Sequence, residues 1–89
     1  MRAVITVIGK DMVGILARIS GECAKFNVNV TEVTQSVLQD LFAMIMMADI
    51  QDLSVPFHAF SDTMQALGRE MGLSVHVMHE DIFHSMHRV

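Results

Sequence analysis

A chain of 89 residues with a formal charge of −4 and only six Lys and Arg has no basic face for nucleic acid or anionic lipid. Its one cysteine excludes an internal disulfide and a cysteine-built metal centre. No apolar run approaches the roughly 20 residues of a membrane span, and the first residues lack the basic-then-apolar order of a secretion signal, so the expected location is the cytoplasm.

Hydrophobic residues make up 52% of the chain, with neither Trp nor Tyr, and nine Met do much of the filling. A body this small forms one domain and buries roughly 60% of its unfolded surface. Part of so much apolar side chain is expected to be covered by a second copy.

Residues 2–8, Arg-Ala-Val-Ile-Thr-Val-Ile, are apolar on both faces and β-branched, as in a central strand. Gly9-Lys10-Asp11-Met12-Val13-Gly14 then reads as a sharp turn opening a helix, with two glycines bracketing a charged pair. Ile15, Leu16, Ile19, Cys23 and Phe26 follow at helical spacing, with Arg18, Glu22 and Lys25 largely on the other side. Asp11 is expected as an N-cap or first-turn acid of this helix, and Asn27-Val28-Asn29 ends it. Residues 30–38 form a more polar, edge-like strand, Gln39-Asp40 a short turn, and residues 41–50, with Met44, Met46 and Met47, a second central strand. The two strands pair as a hairpin.

Asp52, Ser54 and Pro56 mark the next boundary. Phe57, Phe60, Met64, Leu67 and Met71 repeat at three and four, a helix that Gly72 stops. Leu73, Val75 and Val77 alternate with Ser74, His76 and Met78 as a last, half-exposed strand. The order β-α-β-β-α-β closes most simply as an α+β, ferredoxin-like sandwich: a four-stranded antiparallel sheet with two helices on one face. Strands one and three would be central, two and four edges. This domain takes residues 1–80. Residues 81–89 make a C-terminal helical tail whose Ile82, Phe83, Met86 and Val89 share a face. Nine residues are too few for an independent helix, so the tail docks on the uncovered sheet face or across a dimer.

The turn at 9–14 is the candidate site. The main-chain N–H groups from Met12 to Ile15 lie at a helix N-terminus, which suits a carboxylate. A phosphate loop is rejected, because Ile15-Leu16 stands where Lys and Ser/Thr would be required. Cys23 lies on the apolar helix face as a core thiol. His76, His79, His84 and His87, with Glu80 and Asp81 among them, are the competing signal, since imidazoles and carboxylates bind Zn or Ni. His76 and His79 point to opposite faces of a strand, so solvated or interface histidines are the preferred reading, with no metal and no cofactor. His58 has no sequence partner and belongs on the surface. An RNA-binding sheet would want several aromatics and basic residues, and Phe42 stands alone. With no nucleophile beside a base and no cofactor fingerprint, the chain does not read as an enzyme.

Gly9-Lys10-Asp11-Met12-Val13-Gly14-Ile15-Leu16, followed after one helix by Asn27-Val28-Asn29-Val30, resembles the ACT domain, with its β-α-β-β-α-β fold and Gly-x-Asp-Arg-Pro-Gly-like turn. The resemblance spans residues 1 to about 80 and is nearest to stand-alone and glycine-cleavage-repressor-type ACT proteins. It implies a regulatory homodimer, or a higher oligomer, binding a small effector, often an amino acid, at a subunit interface and passing the signal to a protein partner. It also implies that Gly14 allows a close helix–strand approach, and that Asp11 and Asn29 contact the ligand. Met12-Val13 departs from the family's Arg-Pro, and Gly9 stands where some members carry a polar side chain. The competing reading is an interaction module that dimerises without a ligand.

Overall fold

The computed structural model describes residues 1–86. The elements are β1 (Arg2–Lys10), α1 (Ile15–Lys25), β2 (Asn29–Leu38), β3 (Leu41–Asp49), α2 (Phe57–Glu70), β4 (Leu73–His79) and α3 (Glu80–Met86). The sheet runs β2-β3-β1-β4 and every neighbouring pair is antiparallel. The two most apolar strands are central and the two more polar ones are edges, because a central strand has both edges paired and its helix-facing residues in the middle of the core.

The alternation of the strands divides the sheet into two faces. Ala3, Ile5 and Val7 of β1, Phe42, Met44, Met46 and Ala48 of β3, and Leu73, Val75 and Val77 of β4 face the helices. They meet Ile15, Ile19 and Cys23 of α1 and Phe60, Met64 and Leu67 of α2 in one core. Each helix thus buries one stripe and leaves its charged residues in water. Phe26 meets Phe60 edge to face, with ring centroids 5.6 Å apart, where the two helices converge.

Gly9 and Lys10 belong to β1 and not to the turn. Gly9 pairs with Phe42 on one side and Leu73 on the other, and Lys10 pairs with Leu41. A Cβ on Gly9 would lie 2.5 Å from Leu73 Cδ2 and 3.3 Å from the Gly72 carbonyl oxygen, so a side chain there would have to displace the Leu73 side chain. Gly68 is a second such position that the sequence pattern did not single out. A Cβ there would lie 2.5 Å from Val75 Cγ2 and 3.0 Å from the Leu73 carbonyl oxygen, so α2 sits directly on β4.

The helix ends follow local chemistry. Asn27, at φ 63°, takes the left-handed position after α1, and its Nδ2 donates to the Asp52 carbonyl at 3.1 Å. Gly72, at φ 74°, does the same after α2. Gln39, at φ 58°, makes the tight β2–β3 turn.

The tail docks within its own chain. α3 packs against β1 and β4 on the face opposite α1 and α2, where Phe83 lies among Thr6, Ile8 and Met78. Arg2 forks onto Glu80, with Nε 3.1 Å from Oε2 and the second branch on Oε1, and also stands 3.6 Å from Glu32. The predicted single apolar stripe of the tail is split: Phe83 turns in, while Ile82 and Met86 are exposed. Val89 falls outside the described residues.

Candidate functional site

The connection from β1 to α1 is the four residues Asp11–Gly14. Gly14 is the N-cap of α1, at φ 88° and ψ 10°, and no side chain caps the helix. Asp11 is therefore neither the N-cap nor a first-turn acid, for the first turn holds no acid at all. Its backbone N–H instead donates to the Asp40 carbonyl at 2.8 Å, tying this turn to the β2–β3 turn, and its side chain is exposed. The expected reason for Gly14 is also corrected. A Cβ there would meet nothing within 4 Å, so the left-handed backbone, not close packing, selects glycine.

Because α1 is uncapped, the N–H groups of its first turn have neither intrahelical nor side-chain acceptors. They border a cavity of about 360 Å³. Asp11, Met12, Gly14, Ile15, Leu16 and Ala17 form one wall; Gln35, Ser36, Val37 and Phe42 form the other. The strand-side wall was missed from sequence. Its signal was the alternation of β2, which sends Gln35 and Val37 to the helix side. Val13 does not line the cavity but stands fully exposed beside it, with Met12, Leu16, Val33 and Val37 also exposed. Lys10 alternates with Gly9 and falls on the opposite face of the sheet.

Asn29 opens β2, opposite Asp49, whereas the cavity lies at the other end, where Leu38 pairs with Leu41. At about 3.3 Å per residue the two ends of this strand are roughly 30 Å apart. Asn29 lines a separate hollow of about 300 Å³ with Ala24, Asn27, Val28 and Asp52. One protomer therefore does not bring Asn29 to Asp11.

The histidines are dispersed. His76 Nε2 lies 3.1 Å from Ser74 Oγ, His79 stacks on Phe57 with centroids 4.3 Å apart, and His84 stands 3.4 Å from Glu80. His87 falls outside the described residues. Among the described residues no three His, Cys, Asp or Glu side chains gather round a metal-sized point. Cys23 is fully buried, and that burial, with Glu22 nearby, pushes its thiol up to about 11, which leaves it almost entirely protonated at neutral pH.

A four-stranded antiparallel sheet with two helices on one face and an uncapped β1–α1 turn over a small cavity is a ferredoxin-like sandwich. Residues 2–78 match the ACT domain family, and the chain belongs to it. It is 46% identical over 88 residues to a UPF0237 protein of Methanopyrus kandleri, covering 99% of this chain and 98% of that one. A solved ACT domain protein from Streptococcus pneumoniae superposes with a TM-score of 0.81 at 31% identity, covering 93% of each chain. A structure described as a putative glycine cleavage system transcriptional repressor shares the fold, with a TM-score of 0.69 at 18% identity over 85% of this chain and 43% of that one. Among the described residues no helix is long and apolar enough to cross a membrane.

Proposed function

We propose that this chain is a cytoplasmic regulatory module, not an enzyme, that binds an amino acid or similar small carboxylate in the β1–α1 cavity. The observation that carries the reading is the uncapped α1 N-terminus opening onto a cavity of about 360 Å³. A ligand carboxylate takes the orphan N–H groups, and the Asp11 carboxylate takes an ammonium group. Leu16, Val37 and Phe42 offer apolar contact to the remainder. The volume suits a metabolite and little more.

The functional unit is a homodimer across the β2 edge. β2 offers an unpaired row of backbone groups, and Val13, Leu16, Val33 and Val37 form an exposed apolar strip beside it. Joining two β2 edges antiparallel about a two-fold axis normal to the sheet extends it to eight strands. The same operation carries the partner's Asn29 end toward the Asp11 cavity of the first protomer, and reunites residues that one chain keeps roughly 30 Å apart. A ligand bridging that seam stabilises one dimer arrangement by its differential affinity, and a protein partner reads the result.

A thermal-shift screen against the twenty amino acids at fixed protein concentration tests this. An effector at 100 times its Kd adds about 2.7 kcal/mol, a shift of several degrees in a domain of this size. Asp11→Ala with Asn29→Ala should abolish the shift and leave the dimer intact. A flat screen on a confirmed dimer would sink the ligand reading in favour of a pure interaction module.

A further inference from the structure

Among the described residues, the sheet face away from α1 and α2 is only half covered. At its Arg2 end α3 lies across it and Val4 is fully buried, although Val4 points away from the main core. At its Lys10 end Ile8, Leu41 and Ile45 are exposed, and a trough of about 320 Å³ runs beside Phe83. On the flank of α3 beside Phe83, Ile82 is 52% and Met86 66% exposed. One face of one chain thus carries an apolar ridge without a groove and an apolar groove without a ridge.

We infer that a second copy of this chain covers the face, packing sheet to sheet about a two-fold axis that lies in the sheet plane across the strands, so that each α3 fills the other's trough. That operation keeps β1 over β1 and reverses its direction. The Val4 half of one copy then sits over the Ile8 half of the other, and the contact is self-complementary as an isologous interface must be.

Charge points the same way. The chain carries −4, yet the two central strands place only Val4, Thr6, Ile8, Ala43, Ile45 and Met47 on the middle of this face. Interface cores are depleted in charge in the same manner. At the ends the operation sets Lys10 of each copy beside the first turn of the other's α3, where Asp81 is exposed. Neither Lys10 nor Asp81 has an ion pair among the described residues. The body is 35 × 34 Å across its broad dimensions, a size compatible with the roughly 800 Å² per partner of a standard interface. This axis is perpendicular to that of the β2-edge dimer, and where the two axes intersect at the middle of the strands the two contacts close a four-chain assembly.

Sedimentation velocity and light scattering on the full chain, over a range of concentrations, test the inference. The wild type should reach four copies. Ile82→Glu, on the exposed flank of α3, should stop at two with its circular dichroism unchanged, while any ligand-induced thermal shift persists. Val37→Glu at the β2 edge should also stop at two, and the double variant at one. Lys10→Glu should weaken the face contact roughly tenfold by setting like charges together, and adding Asp81→Lys should restore it. A mass and concentration dependence unmoved by Ile82→Glu overturns the inference even if Val37→Glu dissolves a dimer, in which case the edge dimer and its ligand site stand alone. Failure of the charge exchange to restore assembly overturns the antiparallel arrangement.

Discussion

Four glycines occupy positions that disfavour a side chain, for two different reasons. Gly14 and Gly72 need their left-handed backbones and have open space around them, whereas Gly9 and Gly68 are crowded and have ordinary backbones. The distinction predicts different outcomes on substitution. Gly14→Ala should cost about 1 kcal/mol in urea unfolding, and Gly14→Asn less, since Asn tolerates φ above zero. Gly68→Ala drives a methyl into Val75 and the Leu73 carbonyl, and overpacking of this kind costs about 1–3 kcal/mol. Equal losses at Gly14→Ala and Gly14→Asn would contradict the backbone explanation.

At the scale of elements, α3 is the piece most dependent on one contact. Seven residues cannot hold a helix in water, so docking supplies the order: Phe83 against Thr6 and Met78, and the Arg2 fork on Glu80. The hydrogen bond from Arg2, with smaller help from His84, holds the Glu80 carboxyl below its ordinary value of 4.5. A carboxylate with a lowered folded pKa contributes stability that is complete above the unfolded value and is lost as pH falls through the folded one. Docking of α3 should therefore be constant from neutral pH down to about 4.5 and weaken only below it. Arg2→Ala should raise amide exchange across residues 80–86 at neutral pH while β1 to β4 keep their protection. Exchange rising equally in the sheet would show that the fork holds the whole fold and not one element.

For the whole molecule the dominant quantity is the single core between the helices and the sheet. Phe60 is fully buried where α1, α2 and the sheet meet. Phe60→Ala should cost about 3–5 kcal/mol, a large part of the 5–15 kcal/mol that holds a domain folded. It should lower the thermal midpoint by well over ten degrees. Ile82→Glu, by contrast, should leave the unfolding of the single chain nearly unchanged, because its partner surface lies outside the chain. Both surfaces proposed for contact, the β2 edge and the open sheet face, are places where the chain leaves apolar side chains uncovered. That is the whole-molecule form of its 52% hydrophobic composition.

The order and type of the elements were legible in the residues because each strand and helix carries a period of its own. β4 alternates at two, and α2 repeats Phe57, Phe60, Met64 and Leu67 at three and four. The apolar ranking of the strands also predicted which two are central, although the outer face of these strands keeps Ile8, Leu41 and Ile45 exposed. The family was readable from one short turn and the Asn that follows α1. What the sequence left undetermined depends on contacts distant along the chain. Asp11 reads as a helix cap because its residue type favours one, but the strand runs two residues further than its β-branched stretch. The reason is that β3 pairs with both Gly9 and Lys10, and β4 with Gly9 as well. Gln35, Ser36, Val37 and Phe42 enter the cavity only because β2 and β3 pass beside α1. The tail's stripe looks like one buried face in isolation, yet in the fold, where Arg2 grips Glu80 from 78 residues away, Ile82 and Met86 are left exposed. Local periodicity is a property of neighbouring residues and needs nothing else. Which side chains converge on a cavity, and which stay uncovered, is settled by pairing across the sheet, where the fold chooses among partners that sequence distance does not rank.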